Sequence, residues 1–308
     1  MSNGTIVSVS PAMRRAMDLV SLFAPRAMPV TLVGPTGSGK EVLAQAIHER
    51  SGRAGRLVPI NCAAFPAELI EGELFGYRRG AFSGAVSAKV GLVEAAEGGT
   101  LFLDEVASMP PIAQAKLLRT LESGYLNRLG ETRPIAINVR FVAALQAESR
   151  AEMQRTPVRS DLLYRLSGVV IELPPLRARP EDIAPMAEHF ADQVGCRLGS
   201  GVAALLARHP WMGNGRELRH TIERAAALST SKAIEPGDVA RAIELGVPSM
   251  DAAAPIDGLL DRLAAVDWNA GRAAAALGIG RATLFRRLKG LGLSLADARK
   301  QHRASQLR

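Results

Sequence analysis

The chain has 308 residues, 47% of them hydrophobic, which is long for one core and suggests two or three domains. No stretch approaches the roughly 20 apolar residues that span a bilayer, and Met1-Ser2-Asn3-Gly4 lacks the basic and apolar regions of a secretory leader, so a cytoplasmic protein without membrane insertion is expected. Net charge is +8, and the whole excess lies in residues 270–308, where nine cations accompany the single acid Asp297. A neutral body with a basic end points to a polyanion partner confined to the C-terminus; solvated surface charge is the plain alternative.

Residues 10–24 read as a helix, with Ser10 as N-cap and Pro11 in the first turn. The buried-strand pattern Val30-Thr31-Leu32-Val33 follows, and then Gly34-Pro35-Thr36-Gly37-Ser38-Gly39-Lys40-Glu41 leads into the helical residues 42–48. Strand, glycine-rich bend and helix start, in that order, are the context of a phosphate-binding loop. Glycines let the backbone turn its N–H groups inward, the helix N-terminus adds positive potential, and Lys40 can reach the β- and γ-phosphates. A tight turn with a chance lysine is the bland alternative. Glu41 stands where most such loops carry the Ser or Thr that holds Mg²⁺, so the metal must be held mostly from elsewhere. Leu57–Asn61 reads as a short strand with a polar tip, and residues 66–75 as a helix. Cys62 and Cys196 match no metal spacing and read as reduced core thiols.

Gly76-Tyr77-Arg78-Arg79-Gly80-Ala81-Phe82-Ser83-Gly84-Ala85 makes no sense as core: three glycines and an aromatic beside cations suggest a mobile loop. Physics alone leaves two readings of Phe82 level, presentation to a partner or packing under its own loop. Residues 98–105 form another buried strand ending in Asp104-Glu105. Adjacent carboxylates at a strand tip suit ATP hydrolysis, with Asp104 binding Mg²⁺ directly or through water and Glu105 polarising the attacking water; capping of the helix after Pro110-Pro111 is the alternative. Residues 137–145 and 169–173 are further strands. Between them Arg159 and Arg165 lie six apart near a helix, where they could stabilise the γ-phosphate of a neighbouring subunit or be ordinary surface charges. Five strands separated by helices argue for a parallel, helix-covered sheet.

Residues 174–180 break this pattern, and 181–245 read as helices without strands. Arg216, at a helix start, could reach back to the nucleotide. Residues 246–256 read as a linker. Beyond it, residues 259–266, 270–277 capped by Asn269, a turn at Gly278-Ile279-Gly280 and residues 281–288 resemble a helix-turn-helix. Arg281, Thr283, Arg286 and Arg287 can face outward toward DNA while Leu284 and Leu288 pack inward.

Together these motifs resemble the sigma-54-dependent transcriptional activators, the bacterial enhancer-binding proteins. Gly80 to Ala85 reads GAFSGA and is similar to their GAFTGA signature, the loop that contacts sigma-54, which tilts Phe82 toward a partner contact. The family's phosphate loop also has glutamate after its lysine. Asn61 matches the asparagine that restrains the catalytic glutamate, Arg159 and Arg165 the trans-acting arginines, and Arg216 the lid sensor.

The resemblance implies an AAA+ ATPase, with an α/β subdomain at 1–174 and a helical lid at 175–245. It further implies a Fis-type helix-turn-helix domain at 257–308, assembly into a homo- or hetero-oligomeric ring (usually a hexamer), and remodelling of sigma-54 RNA polymerase from upstream enhancer DNA. With the ATPase at its start, the chain looks like the subgroup controlled by a separate trans-acting regulator. Two positions depart from the family: Leu145-Gln146 replaces a threonine followed by a polar residue, and Val7-Ser8 stands where a glycine is common near the adenine. The competing reading, favoured only by Leu145, is a DNA-binding regulator whose AAA+ fold serves oligomerisation; a small-molecule kinase would share the phosphate loop but explain neither GAFSGA nor the basic tail.

Overall fold

The structure, a computed structural model, describes residues 6–82, 84–246, 263–266, 268–276, 294–295 and 297–299. Met1–Val247 and Pro248–Arg308 are separate compact units. In the first, the Ser10 hydroxyl accepts from the Met13 amide and opens helix α1 (Pro11–Phe23), where proline occupies a turn whose amides lack helical partners anyway. The strands that follow are β1 (Val30–Val33), β2 (Leu57–Asn61), β3 (Thr100–Asp104), the two-residue β4 (Tyr125–Leu126) and β5 (Ile135–Ala136), β6 (Arg140–Leu145) and β7 (Val169–Glu172). Between them run α2 (Lys40–Glu49), α3 (Ala67–Phe75), the single turn α4 (Leu92–Ala95), α5 (Pro111–Ser123), α6 (Arg150–Met153) and α7 (Ser160–Leu166).

Five strands form one parallel sheet in the order β2-β3-β6-β1-β7. Side chains alternate across it, as a pleated strand requires. Phe102 and Val142 join Leu32 in the core beneath α1 and α2, whereas Leu101, Leu103 and Ala143 face the core that holds Leu74, Leu117 and Leu162 of α3, α5 and α7. β1 and β6 are buried along their whole lengths, which is why they read as continuous apolar runs.

The expected strand at 137–145 is shorter than its pattern. Ile135, Ile137 and Val139 alternate as a strand would, but β5 pairs antiparallel with β4, and the Ile137 amide donates to Gly124 O; β6 begins only at Arg140. Those side chains still pack against the core, so the hairpin satisfies the same periodicity.

Beyond β7, α8 (Ile183–Gln193), α9 (Val202–Leu206), α10 (Asn214–Leu228) and α11 (Pro236–Glu244) surround a third core built on Trp211, Leu218 and Ile222. Trp211 is fully buried and its indole donates to Leu206 O at 2.8 Å. Strands do not vanish here as expected: β8 (Arg197–Leu198) pairs parallel with β9 (Ala233–Ile234), each two residues long and too short to leave an alternating signal. Cys62 is buried, but Cys196 is only half-buried, packed at the edge of this third core rather than within it.

In the second unit, residues 263–264 are helical. The Asn269 side chain accepts from the Gly271 and Arg272 amides at 3.0 and 3.1 Å and so caps α12 (Ala270–Ala276), which matches the expected cap. The expected linker beyond Gly246, the turn at 278–280, the helix at 281–288 with Arg281, Thr283, Arg286 and Arg287, and Ser83 of the glycine-rich loop lie outside the described residues.

Candidate nucleotide site

At the C-terminal ends of the parallel strands, where open α/β sheets take their ligands, a cleft of about 350 Å³ lies between the loop after β1 and the start of α10. Thr36 to Glu41 line it, together with Asp104, Glu105, Gln146 and Arg216. The loop bends as the sequence requires: Gly37 has φ +73° and Gly39 φ +107°, and α2 starts at Lys40. Gly34 is buried beside Leu173, Thr36 is exposed, and Glu41 is exposed on the first turn of α2. Lys40 Nζ donates to Gly34 O at 2.8 Å and to Pro35 O at 2.9 Å. Burial lowers the pKa of this ammonium, while Asp104 and Glu105 pull it back up. The Ser38 hydroxyl is buried without a partner. Loop amides at a helix start, an orphaned hydroxyl and a lysine at the loop's base form a set of donors suited to a polyphosphate.

The acids come from the tip of β3. Asn61 sits directly opposite Asp104 in the parallel register of β2 and β3. Asp104 Oδ1 accepts from the Glu105 amide at 3.0 Å, and Glu105 has φ +52°, a left-handed backbone that costs a non-glycine residue about 1–2 kcal/mol. Asn61 Oδ1 is taken by the Ala63 amide at 2.8 Å, and among the described residues no hydrogen bond joins Asn61 to Glu105. Leu145 is fully buried in the sheet, whereas Gln146 beyond it is exposed and reaches the cleft, so Gln146 is the polar group that this strand tip offers. Among the described residues no three His, Cys, Asp or Glu side chains are grouped so as to hold a metal together.

Arg159 and Arg165 do not line this cleft. Both are exposed, Arg159 just ahead of α7 and Arg165 in its last turn; Arg159 pairs with Asp161 at 2.7 Å, and Arg165 donates to Leu121 O at 3.1 Å. The glycine-rich loop is likewise remote from the cleft's lining. Its base is pinned: Tyr77 exchanges backbone bonds with Lys89, Arg78 N donates to Leu129 O, and Gly80 N donates to Ala85 O, with Ala85 buried. The Phe82 ring stands edge-on to Tyr77 at 5.0 Å and is 46% exposed, so it is packed only partly under its own loop. Ala81 is half-buried and Gly84 is exposed.

Of the opposite wall the sequence pointed only to Val7, set near the adenine by the family resemblance; Ile6, Met186, His189, Phe190 and Arg179, which also line the cleft, were missed. They come from an N-terminal strap, from α8 and, for Arg179, from the turn ahead of α8, segments that meet only through the fold.

Comparison with known proteins adds to this geometry. The sigma-54 interaction domain matches residues 6–172, more than half of the chain, and the AAA+ ATPase lid domain matches 177–255. The Nif-specific regulatory protein of Azotobacter vinelandii is 43% identical over 231 residues, 73% of this chain and 44% of its own length. The transcriptional regulatory protein ZraR of Klebsiella oxytoca is 38% identical over 302 residues, 92% of this chain and 68% of its own length. The chain thus spans about half to two thirds of the length of such curated relatives. The crystal structure of NtrX from Brucella abortus in complex with ATP superposes with a TM-score of 0.69 at 31% identity, covering 94% of this chain and 70% of that one. A cleft built for phosphate, a parallel sheet under a helical lid and these likenesses agree: the chain belongs to the sigma-54 interaction domain family of AAA+ transcriptional regulators.

Proposed function

We propose that the chain hydrolyses ATP with Mg²⁺ and delivers the resulting motion to sigma-54 RNA polymerase through the loop Gly80 to Ala85, while its C-terminal part binds enhancer DNA. The observation that carries this reading is the convergence of Lys40, Asp104, Glu105 and Arg216 on one cleft with the phosphate loop. In use, Lys40 Nζ would leave the Gly34 and Pro35 carbonyls for phosphate oxygens, the amides of Thr36 to Glu41 would cradle the chain of phosphates, and Ser38 Oγ would gain a partner. Held by Asp104, Mg²⁺ would neutralise charge on the β- and γ-phosphates. Glu105 would take the proton of the attacking water, and Asn61 would hold or release Glu105 by exchanging its bond to the Ala63 amide. Arg216, exposed on the first turn of α10, would meet the phosphates from the lid side.

Arg159 and Arg165 are exposed and do not line their own chain's cleft, a placement that supports service to a neighbouring subunit in a ring, with six the expected number. The basic segment with Arg281, Thr283, Arg286 and Arg287 is assigned to DNA. The division at 1–174, 175–245, 246–256 and 257–308 follows the same reading. Lys40→Ala should abolish ATP turnover while promoter DNA is still retained; specific activity of the unmodified chain should rise with protein concentration as subunits assemble. A flat specific activity across the assembly range, or turnover undiminished in Lys40→Ala, overturns the proposal.

A further inference from the structure

All five carbonyls of the phosphate loop from Gly34 to Ser38 are hydrogen-bonded, and the last three are held from the helical side of the cleft. Asn214 Nδ2 donates to Thr36 O at 2.8 Å, the Gly215 amide to Gly37 O at 3.0 Å, and Arg179 Nη2 to Ser38 O at 2.8 Å. The peptide bonds of the loop are trans, so in each unit the C=O and the next N–H point in opposite directions. A carbonyl drawn toward the helices therefore turns the following amide the other way, toward the space where a phosphate would lie. For Ser38 O the amide so fixed is that of Gly39, a residue free of side-chain steering at φ +107°.

Arg179 is not a surface cation that happens to touch the loop. It is 3% exposed, and its other terminal nitrogen lies 3.7 Å from Asp182, which is itself fully buried. That carboxylate also gathers the Val9 amide at 2.6 Å, the Ser10 amide at 2.7 Å and the Ser8 and Ser10 hydroxyls at 3.1 and 2.8 Å. Residues 8–10 continue directly from Ile6 and Val7, which line the same cleft. One buried ion pair thus joins an N-terminal strap at one wall of the cleft to the phosphate loop at the other.

We propose that Arg179 is a positioning residue for the phosphate cradle: by holding the Ser38 carbonyl it aims the Gly39 amide at a bound polyphosphate, and through Asp182 it ties that amide to the strap of residues 6–10. The inference rests on the cleft binding a nucleoside polyphosphate, but not on hydrolysis.

Equilibrium binding of ADP, with adenosine as competitor, separates positioning from packing in the full chain. Arg179→Ala should weaken ADP about tenfold, the scale of one hydrogen bond to a charged group, and leave adenosine within twofold because adenosine has no phosphate. Arg179→Lys, still able to donate to Ser38 O, should recover most of the loss. Asp182→Asn loosens the strap as well and should weaken both ligands. Equal weakening of ADP and adenosine in Arg179→Ala, or unchanged ADP affinity, overturns the proposal. Should Arg179→Ala fail to fold, Arg179→Met, which keeps the length of the side chain but has no donor, carries the same test with the same two ligands. A chain that binds ADP with this pattern but does not turn over ATP would sink the catalytic reading alone; a chain that binds no ADP sinks both.

Discussion

Cys62 follows the last residue of β2 and lies beneath the acids of the cleft, and that place sets its chemistry. Burial pushes its thiol up to about 12 from an ordinary 9.0, with Asp104 and Glu105 adding to the shift. An acid whose folded pKa is raised keeps its proton in the native state while the unfolded chain has already lost it. The stability this lends is therefore complete below pH 9 and is lost as pH climbs toward 12. One pKa unit corresponds to about 1.4 kcal/mol, so between pH 8 and pH 10 the chain should lose about 1 kcal/mol more than Cys62→Ala in urea unfolding. Identical pH slopes would show that the thiol is not protected by burial. Arg140 shows what a residue does not disclose on its own. A cation at the start of a strand reads as exposed, yet Arg140 is 1% exposed and its guanidinium donates to the Phe23 and Ala24 carbonyls at the end of α1. The partner is more than a hundred residues away, so no local pattern could announce it.

Where an element met its neighbours locally, its sequence was explicit. Ser10-Pro11 opened α1, Gly37 and Gly39 bent the loop before α2, and Asn269 capped α12, because capping and turn chemistry act within a few residues. Pairing was less legible. The alternation at residues 135–139 fits a hairpin arm as well as a sheet strand, and β8 with β9 is too short to show a period. Least legible was the seam between α10 and the phosphate loop, where two glycines of the same motif have different reasons to be glycine. A Cβ on Gly37 would stand 2.3 Å from Gly213 O, whereas one on Gly39 meets nothing within 4 Å. Both have positive φ, so alanine is strained at either site by about 1–2 kcal/mol. Only at Gly37 must the helical side also give way. Gly37→Ala should therefore cost at least about 3 kcal/mol in denaturant unfolding of the unliganded chain, and Gly39→Ala about 1–2 kcal/mol. Equal losses would mean that the seam is loose in solution.

At the scale of the molecule the question is how an event at the strand tips could reach a partner. The path is short and covalent. Asn61 ends β2 opposite Asp104, its side chain caps the turn at Cys62–Ala64, that turn leads into α3, and α3 ends at Gly76 where the glycine-rich loop begins. α3 is seated on the core by Ile70, Leu74 and Phe75, so a shift at its first turn moves the helix as a body. The loop's base is held by Tyr77, by Leu129 and by the close approach of Gly130 to Ala81, which leaves Phe82 as the half-exposed aromatic at the end of the path. Phe82 stands edge-on to Tyr77 and does not line the cleft that holds the phosphate loop, Asp104 and Glu105. Truncation there should then spare the chemistry and remove the output. In Phe82→Ala, ATP turnover by the assembled protein should stay within about twofold, since surface changes remote from the reacting groups rarely cost more than 0.5 kcal/mol. Open-complex formation at a sigma-54 promoter, read by permanganate footprinting, should fall to background. If turnover collapses in a variant that still assembles, Phe82 serves the ATPase itself. If open complexes form undiminished, force reaches the polymerase through another surface.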